Sequence, residues 1–397
     1  MRKITANYLL TMTGEPLTDH VLITDDTGRI LAIEPMADHD PASMERYEGV
    51  IVPGFVNAHC HLELSHMKGK VDTGTKLIPF ITQVVRFRNI PEEEILDAIR
   101  RADQEMHEGG IVAVGDISNK LDTAPVKDAS PIRYHTFVEM FDFMQDAWAE
   151  KTGLDYAPVY EGQARENGNR RTAVPHAPYT VSPSLFRHIN ELNGGQGTVS
   201  IHNQETPPEN ELFIRKSGAF LDFYKSFNIS LEDFKATGQP SIYYALQHMD
   251  PNVRALFVHN TLTTPREIED AHGWSCSGAY WATCPNANLY IENRLPNYQY
   301  FLDTDAKVCV GTDSLTSNWQ LSLLEELKTI HRFQSYVPFT TLLRWATRNG
   351  AEALGYEEEL GTLEVGKAPG ILLLSDLDGT TADNFRVGAR AKVRRLV

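Results

Sequence analysis

The sequence predicts an α/β fold: a (β/α)8 TIM barrel with a small composite β-sandwich domain assembled from both ends of the chain. Three observations carry this. Eight short apolar runs recur, most of them separated by stretches long enough for helices. That is the pattern of parallel strands buried on both faces and joined by crossovers. Several runs end in a polar residue able to do chemistry, as strands do at the active-site face of such a barrel. Both ends of the chain instead alternate short apolar runs with turn signals, in the manner of antiparallel sheet.

Taken in order, the β-sandwich domain covers residues 1–52 and 358–397, and the catalytic barrel 53–357. At the start, Tyr8–Met12, Val21–Thr24 and Ile30–Ile33 read as short strands, with Asp25-Asp26-Thr27-Gly28 turning between the last two. The first barrel strand is the run from Val50 to His61. Side chains alternate along a strand, so His59 and His61 share one face and Cys60 takes the other. Ile95, Ile99, Ala102 and Met106 recur at helical spacing and predict a helix over 92–108. The remaining strand runs are Ile111–Asp116, Ile132–Glu139, Thr172–His176, Thr198–His202, Ala255–His259, Ser277–Cys284 and Val308–Asp313. Residues 206–250, rich in aromatics from Phe213 to Phe234, form a long insertion where barrels place lids and specificity elements. Leu342–Leu354 reads as a late barrel helix. Gly361–Lys367 and Pro369–Leu374 resume the β pattern.

Composition narrows the function. At 397 residues the chain suits a barrel plus an accessory module. Hydrophobic residues at 42% and charged residues at 23% are ordinary for a globular enzyme. A net charge of −16 argues against nucleic acid, whose binders need a basic face. The four cysteines, Cys60, Cys276, Cys284 and Cys309, have no paired spacing. They read as free thiols in a reducing compartment. No signal-like apolar core opens the sequence and no apolar run spans a bilayer, so the expectation is a cytoplasmic protein without a membrane partner. The expected partner is a small-molecule substrate, and a homodimer is the assembly left open.

His59, His61, His202 and Asp313 make a four-residue set for one divalent metal. Three neutral imidazoles and a carboxylate suit zinc first and ferrous iron second. A lone histidine at a strand end is usually an ordinary polar residue; four such residues in this order are not. The strand ending at His176 offers no lysine to bridge a second ion, which favours one metal. Glu205 follows His202 by three residues, where its carboxyl can overhang the metal without ligating it. A divalent ion lowers the pKa of water towards neutrality, and a carboxyl can accept the released proton and deliver it to a leaving group. His259 can hydrogen-bond the attacking water, or ligate. His176 can contact substrate, or satisfy a loop carbonyl. Glu63, two residues past His61 and on its face, can reach substrate, or stand in solvent. Asn286 and Asn288 read as turn residues.

These motifs resemble the amidohydrolase superfamily, in the branch holding adenosine-type and guanine-type deaminases and triazine hydrolases. The matching segments are Pro53–His61, His202-Asn203-Gln204-Glu205-Thr206, Val258-His259-Asn260, Pro285–Leu289, Gly311-Thr312-Asp313-Ser314 and Gly361–Lys367. The resemblance implies that His59, His61, His202 and Asp313 bind one metal, that Glu205 shuttles the proton, and that His259 assists the attack. It implies that Asp313 takes the first proton from water and that His176 contacts substrate. The Leu62-Glu63 pair directly after His61 is similar to aminodeoxyfutalosine deaminases of a menaquinone pathway, which implies loss of ammonia from 6-aminodeoxyfutalosine. Ser65-His66-Met67-Lys68 departs from the more apolar segment usual there; with Arg86 and Arg88, His66 and Lys68 could receive an acidic group. A guanine- or adenosine-type deaminase and a triazine or cyclic-amide hydrolase are the alternative enzyme readings. A non-catalytic scaffold should have lost a ligand or Glu205, and neither loss has occurred.

Overall fold

The run that leads to His59-Cys60-His61 is two strands, not one. In the computed structural model, which describes residues 1–381 and 384–397, Val50–Pro53 pairs antiparallel with Ile371–Ser375 near the end of the chain. The chain then turns at Gly54 and enters a different sheet as β1, Phe55–Cys60. Gly54 is required by close approach. Its N–H donates to the carbonyls of Pro369 and Gly370, and a Cβ there would lie 2.3 Å from Val112 Cγ1 and 2.5 Å from the Pro369 oxygen. Backbone on one side and a β-branched side chain on the other leave no room to relax. Gly54→Ala is therefore expected to cost about 1–3 kcal/mol, as overpacking does, and to lower the midpoint of thermal unfolding. An unchanged midpoint would show that this junction yields.

The protein is a mixed α/β fold. After β1 come seven further parallel strands: β2 Ile111–Ser118, β3 Arg133–Met140, β4 Arg170–Pro175, β5 Thr198–Asn203, β6 Arg254–His259, β7 Ala279–Thr283 and β8 Lys307–Val310. They form two four-stranded sheets, β4-β3-β2-β1 and β5-β6-β7-β8. Main-chain hydrogen bonds tie the sheets together at both edges. His202 N–H donates to the His176 carbonyl, and the N–H groups of Thr312 and Asp313 donate to the His59 carbonyl, all at 3.0 Å. β1, β2, β5 and β7 are buried along their whole length, which is why they read as continuous apolar runs rather than alternating ones.

Helices fill the crossovers. Glu92–Glu108 forms as its spacing predicts, burying Ile95, Ile99, Ala102 and Met106. The helix expected over 342–354 is two, Phe339–Ala346 and Arg348–Leu354, divided at Thr347 (φ −131°, ψ −88°). The second piece brings Gly350 against Val56 of β1, where a Cβ would sit 2.9 Å from the valine. The insertion holds three helices, Pro207–Arg215, Ala219–Ser226 and Ser241–His248. Its aromatics Phe213, Phe220, Phe223 and Tyr224 are buried rather than displayed, and Tyr224 Oη donates to the Tyr179 carbonyl after β4.

The two ends build two further sheets. One orders Ile30–Pro35, His20–Thr24, Arg2–Thr5 and Glu45–Arg46; the other orders Lys392–Arg395, Ile371–Ser375, Val50–Pro53 and Tyr8–Leu9. A small core of their own includes Ile4, Leu9, Leu22, Ile30, Ile51, Ile371 and Leu373. Gly361–Lys367, expected to be strand, is a turn: Gly366 N–H donates to the Ile30 carbonyl and Ile30 N–H to that of Lys367. All four cysteines are free, with Cys60, Cys284 and Cys309 buried and Cys276 exposed. Among the described residues no helix is long and apolar enough to cross a membrane.

Candidate active site

The ends of the parallel strands bring together most of the residues singled out above. β1 carries His59, and His61 follows one residue past its end. Strand alternation does not place His61, which has turned to φ −122°, ψ 79° as the cap of a short 3₁₀ helix. The imidazoles nevertheless converge. His59 Nε2 and His61 Nε2 are 3.2 Å apart, and His202 Nε2 of β5 is 3.4 Å from His61 Nε2. Asp313, three residues past β8, sets its Oδ1 3.4 Å from His61 Nε2 and 3.7 Å from His59 Nε2.

This donor set fits a metal ion. Tetrahedral zinc with ligands at about 2.0–2.2 Å needs donor atoms about 3.3–3.6 Å apart, close to the observed spacings. The protonation states fit too. Burial, aided by the neighbouring histidines, holds His202 well below the usual imidazole range and His61 down at about 3, so both stay neutral. His202 Nδ1–H donates to the His176 carbonyl at 2.7 Å, leaving Nε2 as a lone-pair donor. Burial opposes the charge on Asp313, but His59, His61 and His259 override it and keep the carboxyl ionised. Its Oδ2 accepts from Ser317 Oγ at 2.5 Å, leaving Oδ1 for the cluster. Asp313 (φ 56°) and His259 (φ 75°) are both left-handed, a conformation that costs a non-glycine residue about 1–3 kcal/mol and gathers at functional sites.

Glu205 and His259 face each other across the site, Oε2 to Nε2, at 3.7 Å. The turn that carries Glu205 is braced by buried Glu209, whose carboxylate accepts the N–H groups of Gln204 and Glu205 at 3.0 and 3.1 Å. Burial, with Asp313, Glu292 and Glu209 nearby, pushes the Glu205 carboxyl well above its ordinary value, so it can hold a proton. His259 is held at about 4 chiefly by burial. Its Nδ1–H donates to Asn288 Oδ1 at 2.9 Å, which turns Nε2 towards Glu205. Asn286 and Asn288 are therefore not turn residues. They lie in the helix Pro285–Glu292, and Asn288 fixes the His259 tautomer.

The flank beyond His202 holds a second group. His176 lies one residue past β4, its ring centroid 4.9 Å from that of His202, with Nδ1 on Thr180 Oγ1 at 2.8 Å. Glu63 is buried, not solvated. It accepts Asn119 N–H at 2.8 Å and lies 3.8 Å from the Arg88 guanidinium; burial raises it to about 7. Beside it stands Glu139, near the end of β3, to which no role was given from sequence. Its Oε1 is 3.5 Å from His202 Nδ1 and, among the described residues, has no hydrogen-bond partner, and burial raises the carboxyl to about 8. The strand-end logic that selects His202 selects Glu139 equally. Lys68 and Arg86 are exposed, and His66 Nε2 lies 2.8 Å from the Arg88 carbonyl. Of the four groups expected to receive an acid, only Arg88 stands within reach of the buried carboxylates.

Comparison with known proteins places the chain in a family. The model of the amidohydrolase family matches residues 50–396. An adenosine deaminase of Helicobacter pylori is 28% identical over 324 residues, covering 80% of this chain and 77% of the relative. An aminodeoxyfutalosine deaminase of Nitratiruptor is 26% identical over 362 residues, covering 87% and 82%. In fold, the chain resembles the H. pylori aminofutalosine deaminase solved with methylthio-coformycin, with a TM-score of 0.79 at 23% identity over 96% of this chain and 94% of the other. It also resembles a Xanthomonas campestris adenosine deaminase solved with bound zinc, with a TM-score of 0.69 at 23% identity over 94% and 84%. The match spans most of the chain and takes in every residue of the imidazole–carboxylate cluster: the protein belongs to the amidohydrolase family and is a hydrolase of C–N bonds.

Proposed function

We propose that the protein removes an exocyclic amine, as ammonia, from a purine-like nucleoside, using one zinc ion held by His59, His61, His202 and Asp313. The observation that carries this is the convergence of those four donors beside a protonatable Glu205 paired with His259. A divalent ion at that position supplies Lewis acidity and lowers the pKa of water. The chain supplies the rest. Asp313, ionised and beside the donors, takes the first proton from the attacking water. Glu205, whose raised pKa suits it to both roles, gives its proton to a ring nitrogen, recovers one from the hydroxyl that attack leaves on the ring carbon, and passes that one to the departing amine; the proton held by Asp313 then restores Glu205. His259, its Nδ1–H held by Asn288, presents the Nε2 lone pair to accept a hydrogen bond from the attacking water. Two buried carboxylates, Glu63 and Glu139, suit a substrate with hydrogen-bond donors such as ribose hydroxyls, and His176 contacts the same molecule. The two parallel sheets are read as halves of one (β/α)8 barrel over residues 53–357, and the terminal sheets as a β-sandwich domain.

The substrate we favour is 6-aminodeoxyfutalosine, in keeping with the Leu62-Glu63 motif and the 26% identical relative; we assign its acidic end to Arg88, which lies 3.8 Å from Glu63. The test is ammonia release by zinc-loaded protein from aminodeoxyfutalosine, methylthioadenosine, adenosine, guanine and triazines. The favoured nucleoside should give the highest kcat/KM, and Glu63→Gln should raise KM on it roughly 10-fold or more, the loss of a hydrogen bond to a charged group. Preference for guanine or a triazine, with no effect of Glu63→Gln, would leave only the general aminohydrolase reading.

A further inference from the structure

Beneath the site lies a buried ion pair that the chemistry above does not use. Asp116 on β2 and Lys127 in the helix Ala124–Ala129 are both completely buried. Lys127 Nζ lies 2.5 Å from Asp116 Oδ2, 2.9 Å from Ser118 Oγ and 3.0 Å from Thr136 Oγ1. Its three protons thus have three partners. Asp116 has one oxygen left over. That oxygen, Oδ1, accepts the main-chain N–H of Leu62 at 2.7 Å.

Leu62 is the residue after His61. The β1–β2 ladder ends where Cys60 stands opposite Asp116, after a shift in register from Asn57. No ladder bond remains for the chain leaving β1, and the Asp116 carboxylate supplies one. His59, whose Nδ1 has no hydrogen-bond partner among the described residues, is held within β1, whereas His61 lies beyond the strand. His202 is oriented by its Nδ1–H on a carbonyl and His259 by Asn288. Among the described residues, the polar contacts of the His61 ring are with the other donors of the cluster, His59, His202 and Asp313. Its aim is therefore set by its backbone.

Energetics point the same way. A buried ion pair pays heavily in desolvation, and apolar residues of similar size are often equally stable. Stability alone gives no reason for this pair. We propose that Asp116 is a positioning residue for His61, holding the Leu62 N–H so that the turn presents His61 to the metal, and that Lys127 locks the Asp116 carboxylate in place. This rests on the reading of His61 as a ligand.

The test compares zinc affinity, by chelator competition, and the visible spectrum of the cobalt-substituted protein in two double variants. Asp116→Ala/Lys127→Met removes both charges and the acceptor. Asp116→Asn/Lys127→Met removes both charges but keeps an oxygen for Leu62. The Ala/Met protein should bind zinc roughly 10–100-fold more weakly, the usual effect of losing an outer partner of a ligand, with an altered cobalt spectrum. The Asn/Met protein should recover most of the affinity and the spectrum. Wild-type affinity in Ala/Met, or an equal loss in both variants, overturns the proposal. If Ala/Met does not fold, Asp116→Val/Lys127→Met is read by the same criteria. If wild-type protein itself holds no zinc, what fails is the metal assignment.

Discussion

Glu205→Gln should retain its metal and lose turnover by roughly 10²-fold or more, the contribution of a positioned general acid–base group. The substitution is nearly isosteric. The brace on the turn survives, because Glu209 accepts the main-chain N–H groups of residues 204 and 205 and not the side chain. An amide cannot cycle a proton. The decisive comparison is kcat alongside metal content: a drop in kcat at constant metal identifies the proton carrier. Normal turnover would reduce Glu205 to a buried loop residue and remove the proposed route for the proton.

The other large effect is on the metal itself. Elemental analysis of protein purified without added metal should find about one zinc per chain, and His61→Ala should lose most of it, since it removes one of four protein ligands. His61 lies closest to the other three donors, within 3.2 to 3.4 Å of each. Its removal leaves His59, His202 and Asp313 without the ligand they share. Full retention of zinc by this variant, or two tightly held ions in the wild type, would overturn the single-metal assignment.

Much of this site is legible in the sequence because strand ends are. A parallel strand buried on both faces writes itself as an apolar run, and the first polar residues after it sit at the open end of the sheet. That logic reaches His59, His202, His259 and Asp313 without knowledge of what lies beside them. It does not show Gly54 dividing one apolar run between two sheets, since both halves are equally apolar and only the partner strands differ. Nor does it show Thr347 breaking a helix whose apolar pattern continues past it. Asparagine favours turns, so Asn288 reads as a turn residue, while its role here is set by a histidine from another strand. Glu139 ends its strand run as His202 does, so the same logic reaches its position; what the run does not show is that the carboxyl comes to lie 3.5 Å from His202 Nδ1.

The junction at Gly54 carries a further consequence, for how the protein is made. The strand that leads into His59 and His61 is registered against Ile371–Ser375, with Val52 opposite Leu372. These partners lie at opposite ends of the chain. During synthesis the first histidines leave the ribosome long before the segment that anchors their strand, and contacts of such long sequence separation are slow to form. Until then the apolar run Val50–Cys60 has an unpaired edge, the kind of surface that aggregates in folding intermediates. The site can be completed only when the last sheet closes, so the order of translation and the order of assembly run in opposite directions.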